Sequence, residues 1–117
     1  MPLLNKVENL MLGDILADHA AEFPELNTLL DGVEVERREN TGDGFFTYLR
    51  LRPSGVRITG PSPIGLRQYA MDLVAHPIGA LLFMVDGRPN LIDCHFFGTD
   101  TTEIDFDEVE FRRAPTP

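Results

Sequence analysis

Residues 79–98, GALLFMVDGRPNLIDCHFFG, decide the fold: two apolar runs meet at Asp86-Gly87, the strongest short-range hairpin signal a sequence carries. Glycine takes positive φ without steric cost and aspartate tolerates it, so the pair reverses a chain with little strain. Pro89 has no N–H to give to a ladder. It therefore falls in a connection running from Asp86 to Pro89, which sets Val85 opposite Asn90, Phe83 opposite Ile92 and Leu81 opposite Cys94. Side chains alternate along a strand. One face is then wholly apolar, with Leu81, Phe83, Val85, Ile92, Cys94 and Phe96, while the other carries Ala80, Leu82, Met84, Leu91, Asp93, His95 and Phe97. The incoming strand is apolar on both sides, the pattern of a central strand covered on both faces over part of its length.

Composition sets the frame for that hairpin. A chain of 117 residues has room for a single domain, 1–117, with a buried core. Its hydrophobic fraction of 43% and charged fraction of 25% are those of a globular protein. No apolar run approaches the roughly 20 residues a membrane span needs, so no membrane association is expected. Glu8 and Asn9 interrupt the opening MPLLNKVENLML, which lacks a basic region ahead of a continuous apolar block and does not read as a secretory signal. A single cysteine rules out an internal disulfide framework and points to a reducing, cytoplasmic setting. The net charge of −9 disfavours nucleic acid, where cationic side chains supply most of the affinity. It favours rapid encounter with a basic protein, although solubility alone is also reason enough for such a charge.

Along the chain, Asn5-Lys6-Val7-Glu8 has the form of a capping box, in which the Asn5 side chain and Glu8 satisfy each other's backbone amides. Leu4, Val7, Leu10, Met11 and Ile15 recur at helical spacing and predict a helix over Lys6 to Ala21, ended before Pro24. A shorter helix fits Pro24 to Asp31, with Gly32 as its left-handed stop. From Val33 the period becomes two. Val33 to Glu39 and Phe45 to Leu51 form a second hairpin about Thr41-Gly42-Asp43-Gly44, and a short strand follows at Val56 to Thr59. Leu66 to His76 fits both a helical template, through Leu66, Tyr69, Ala70, Leu73 and Val74, and an alternating one, through Tyr69, Met71 and Leu73. A last, partly exposed strand is expected near Val109 to Arg112, followed by a frayed Ala114 to Pro117.

Thr41-Gly42-Asp43-Gly44-Phe45-Phe46-Thr47, together with Leu82-Phe83-Met84-Val85-Asp86-Gly87 and Leu91-Ile92-Asp93-Cys94-His95-Phe96, resembles a family of small, mostly uncharacterised bacterial proteins. Those carry a TGxGFFT-like turn and strand and a GAGFxLFxxDG-like hairpin, and the similarity spans roughly residues 37–100. This chain departs from the pattern at Asp93, where glutamate is expected, and at Cys94, where glycine is expected. The resemblance implies an α+β fold, with an N-terminal helical pair packed on an antiparallel β-sheet of about five to six strands, and it shifts Leu66 to His76 toward strand. In size and charge such proteins are similar to the immunity proteins of bacterial toxin systems.

No stretch carries a nucleotide-binding, metal-binding or nucleophile motif at diagnostic spacing, and no cofactor is expected. Asp93 and His95 share a strand face about 6–7 Å apart, close enough for a carboxylate to orient an imidazole base. The plainer reading is a polar pair satisfied by backbone or water. Cys94 points to the other face, so Cys94 and His95 do not form a nucleophile–base pair. Asp100, Glu103, Asp105, Asp107, Glu108 and Glu110 lack the spacing of a calcium loop; they read as a solvated face or as a docking surface for a basic partner. Gly42 and Gly44 suit a hairpin turn better than an anion nest, because Asp43 between them repels phosphate. Arg37, Arg38, Arg50 and Arg52 are expected to pair across strands with Glu34, Glu36 or Glu39. The leading expectation is a non-enzymatic, immunity-like interaction domain that meets a basic protein through its acidic C-terminal segment. The alternatives are a small enzyme or ligand-binding domain with a pocket around Asp93, His95 and Tyr69, and a structural homodimer paired through the exposed edge Val33 to Arg38.

Overall fold

The computed structural model describes residues 2–115. Helix α1 spans Lys6–His19 and α2 spans Glu25–Leu30. The strands are β1 (Glu34–Asn40), β2 (Gly44–Arg50), β3 (Gln68–Ala70), β4 (Ile78–Val85), β5 (Arg88–His95) and β6 (Arg112–Arg113). They form one antiparallel sheet in the order β1-β2-β5-β4-β3-β6, which makes this an α+β fold. The capping box starts α1 as its residues predict, Glu8 N donating to Asn5 Oδ1 and Asn5 N to Glu8 Oε1. Gly32 closes the helical region at φ 70°, where a side chain would be strained.

Both helices lie on one side of the sheet. Phe45, Leu49, Tyr69, Ile78, Ala80, Leu82, Ile92 and Cys94 point to that side and share a buried core with Val7, Met11, Ile15, Leu26, Leu29 and Leu30. The segment between β5 and β6 closes the same core: Phe106 packs on Phe45 and Phe96 at ring-centroid distances of 4.6 and 5.8 Å. The other sheet face carries Phe46, Tyr48, Leu81, Phe83, Leu91, Asp93 and His95, all half-buried, and no helix or further strand covers it among the described residues. At 42 × 35 × 19 Å the molecule is two layers thick. The expectation that β4 is covered on both faces is thus corrected to one.

The central hairpin is present, but its register differs from the predicted one. Val85 pairs with Arg88, Phe83 with Leu91, Leu82 with Ile92 and Ala80 with Cys94, so the loop is Asp86-Gly87 alone, at φ 52° and 74°. Pro89 sits inside β5 opposite Met84, beside a register shift between Phe83 and Met84. A bulge leaves ladder groups unpaired, which is where a residue without an N–H is tolerated. A one-residue slip flips a strand. Ala80 and Leu82 therefore face the core, and Leu81 and Phe83 the open side.

Three further expectations change. Val56 to Thr59 is not a strand, although Ile58 N donates to the Gly87 carbonyl at 2.8 Å. Of Leu66 to His76 only β3 is extended, and the chain then turns through Leu73, a fully exposed leucine at φ 69°. The last strand is Arg112–Arg113, with Val109 to Phe111 irregular before it. Ala114, expected to fray, donates its N–H to the Gln68 carbonyl at 2.9 Å; Thr116 and Pro117 lie outside the described residues.

Candidate functional site

The open sheet face places Asp93 and His95 together and Tyr69 elsewhere. In register, Gly44, His95, Gly79 and Gln68 form one row across the sheet, with Phe46, Asp93 and Leu81 in the next. A Cβ on Gly79 would stand 2.1 Å from His95 Nε2, so the imidazole lies flat across β4 only because that position is glycine. His95 Nδ1 is 3.7 Å from Asp93 Oδ1, and Phe97 meets the ring edge-on at 5.2 Å. Beyond the imidazole lies a groove of about 800 Å³ lined by Gly65, Leu66, Gln68, Gly79, Leu81 and His95. Gly65 to Arg67 span its wall between the Ile64–Leu82 bridge and the Gln68–Gly79 pair, with Gly65 close against the Ala80 carbonyl.

Tyr69 points to the opposite, helical side. Its hydroxyl donates to Asp14 Oδ2 at 2.8 Å, so the predicted grouping with Asp93 and His95 does not form. Asp14, in α1, also accepts from Arg113 Nε at 2.9 Å and Nη2 at 2.7 Å. The Arg113 guanidinium holds the Asp14 carboxyl below its ordinary value, against the opposing effect of burial. Burial, reinforced by Asp14, pushes the Tyr69 phenol up. Arg67 completes the cluster, donating Nε and Nη2 to Asp18 at 2.8 Å each.

A second buried carboxylate lies six residues earlier on the same helix. Glu8 accepts from Arg38 Nε at 2.9 Å and Nη2 at 2.8 Å, and from the Thr47 hydroxyl. Arg38 is thereby drawn off its expected strand partners, while Arg37 lies 3.7 Å from Glu39 and over the Tyr48 ring. Arg52 pairs with Asp31 on α2's exit. Glu8 was legible only as a capping residue, and Asp14 was missed. Its signal is an acid among Met11, Leu12 and Ile15, the apolar side of α1.

The acidic segment forms a third feature. Thr101 is buried; its Oγ1 accepts from Gly44 N at 2.9 Å, and its N–H donates to the Gly42 carbonyl at 2.8 Å. Those bonds occupy the turn's Gly42 carbonyl and Gly44 amide, as a hairpin turn and not an anion nest would have them. Phe106, Val109 and Phe111 pack on the core and Ile104 is half-buried, leaving Asp100, Glu103, Asp105, Asp107, Glu108 and Glu110 outside. Lys6 neutralises Glu110 at 2.9 Å and holds its carboxyl below the ordinary value. Asn5 Nδ2 donates to Asp107, and the Thr102 hydroxyl and amide hold the Asp100 carboxyl low. Asp100, Glu103, Asp105, Asp107 and Glu108 have no cation within ion-pair distance among the described residues. They make a ledge of unbalanced charge on a pinned segment.

Cys94 faces the core, away from His95, and burial pushes its thiol up. No group of His, Cys, Asp or Glu converges for a metal ion among the described residues, and no helix is long and apolar enough to cross a membrane. Comparison with protein-family models, with curated proteins and with solved structures found no match to this chain.

Proposed function

We propose that this chain is a non-enzymatic protein-binding domain, of the kind that the small acidic immunity proteins exemplify, whose ledge from Asp100 to Glu108 receives a basic partner. The observation that carries the reading is the ledge itself: its acids are exposed and without an ion-pair partner, while Arg37, Arg38, Arg52, Arg67, Arg112 and Arg113 are each held by an acid elsewhere and Lys6 is taken by the neighbouring Glu110. Concentrated charge of one sign steers encounter with the opposite sign. The alternative of a catalytic or ligand pocket keeps the Asp93–His95 pair but loses Tyr69 to Asp14. The edge offered for homodimer pairing is blunted, since the Pro2 carbonyl occupies Val35 N at 2.9 Å and a register shift follows Val35.

The test compares two variants of equal charge by stopped-flow association with a lysine-rich peptide. One carries Asp100→Asn, Glu103→Gln, Asp105→Asn and Glu108→Gln; the other carries Glu25→Gln, Glu34→Gln, Glu36→Gln and Asp86→Asn. The ledge variant is expected to lose about tenfold in association rate at low salt, and the control less than about twofold. Equal losses would assign the effect to net charge and remove the ledge.

A further inference from the structure

We infer that a cleft at the β4–β5 turn, lined by Arg57 and Arg88, binds the phosphoryl group of a small molecule. The cleft encloses about 290 Å³ among Leu49, Leu51, Arg57, Asp86, Arg88 and Asn90. Acids outnumber bases by 19 to 10 in this chain, and most bases are taken by a carboxylate. Arg57 and Arg88 are not: neither has an acid within ion-pair distance among the described residues. Both are instead held from behind by backbone carbonyls. Arg57 gives Nη1 to the Ser54 and Val56 carbonyls at 3.0 and 2.9 Å, and Arg88 gives Nη2 to the Arg52 carbonyl at 2.9 Å. The hydrogen bond from Ile58 N to the Gly87 carbonyl, at 2.8 Å, ties the Arg57 segment to the turn that Arg88 follows.

Two guanidinium groups fixed in this way keep donors to spare. Arg57 retains Nε and Nη2 and Arg88 retains Nη1, while the buried Arg88 Nε has no acceptor among the described residues. One guanidinium fork already fills a carboxylate. A phosphoryl group brings three acceptor oxygens and close to two charges, which suits a pair of forks. Asp86, on the turn, is the opposing charge in the lining, one against two. The acidic ledge does not cancel the remainder. Its root, Thr101, is bonded to Gly44 at the start of β2, whereas Leu49 lies near the other end of that strand, about 17 Å away. That distance exceeds the roughly 8–10 Å over which salt screens exposed charges. The site therefore stands apart from the ledge, and neither depends on the other.

The test titrates the ¹⁵N-labelled protein with inorganic phosphate at neutral pH, with sodium chloride of equal ionic strength and sodium acetate as comparisons. Phosphate is expected to give saturable amide shifts at residues 57 and 86–90 that chloride does not reproduce. Arg57→Gln, at an exposed position, is expected to weaken phosphate about tenfold, and Arg57→Lys, which keeps the charge without the fork, about threefold or more. Asp86→Asn removes the opposing charge and keeps a residue that tolerates the turn's positive φ, so it is expected to tighten phosphate about threefold. Arg112→Gln, which removes the same charge at the far edge of the sheet, is expected to change it less than about twofold. Equal shifts with chloride would overturn the site, as would equal weakening by Arg112→Gln and Arg57→Gln. Looser binding in Asp86→Asn would overturn it too, and acetate bound as tightly as phosphate would overturn the phosphoryl assignment.

Discussion

Asp14 is the residue on which the helical layer and the far edge of the sheet both depend. It is 5% exposed and accepts from Tyr69 and Arg113, so removing it strands a buried hydroxyl and a guanidinium. Asp14→Asn should lower unfolding free energy by about 2–3 kcal/mol in urea titration at neutral pH, discounted because Arg113 is half-exposed. The pH dependence follows in sign. A carboxyl whose folded pKa is depressed contributes stability that is present above the unfolded value, 3.8, and is lost as pH falls through the lower folded value. The wild type should therefore lose this increment below about pH 4, and Asp14→Asn should lack that part of the acid limb. Leu73 is the opposite case, fully exposed and left-handed at φ 69°. Leu73→Asn should raise stability by about 0.5–1 kcal/mol, measured by the same titration, because asparagine tolerates that conformation. Asp14 was not singled out by sequence, and Leu73 was counted among the apolar positions of both templates for Leu66 to His76, whereas it is fully exposed. Asp14 meets Arg113 across ninety-nine positions, a separation that no local pattern reports.

At the scale of the element, α1 is fastened to the sheet at two points by buried carboxylates, Glu8 toward β1 and β2 and Asp14 toward β3 and β6. Glu8→Ala removes the half of the capping box that accepts from Asn5 N and leaves Arg38 without its partner. It should cost about 3–5 kcal/mol, read as a shift in the urea midpoint at unchanged slope; a loss under about 1 kcal/mol would mean that the pair contributes little beyond the cap. The capping box, Gly32 and both hairpin turns were legible because each is a local signal with one mechanical meaning. The register of the β4–β5 hairpin was not. Ala80 and Leu82 are as apolar as Leu81 and Phe83, so the pattern in β4 does not say which pair faces the core, and Pro89 was placed in the loop although a bulge seats it in the strand. On β5, where Asp93 and His95 alternate with Ile92 and Cys94, the faces were read correctly. The same alternation made the Asp93–His95 pairing legible, whereas Tyr69 was misplaced because the side it faces depends on the register of a three-residue strand.

For the whole molecule, a single helical layer leaves one sheet face open, while the segment between β5 and β6 closes the helical side and carries outward a ledge of acids without ion-pair partners among the described residues. Composition showed the excess of acid, 19 against 10 basic residues, but not that most bases are spent in pairs away from the ledge. Docking of a basic partner on the ledge is tested most directly by titrating the ¹⁵N-labelled protein with the lysine-rich peptide and following the amide chemical shifts. Perturbations are expected to concentrate at residues 100–108 and to fade as salt is raised. Perturbations concentrated on the outer surface of α1 and α2, or spread evenly over every exposed acid, would contradict docking on the ledge.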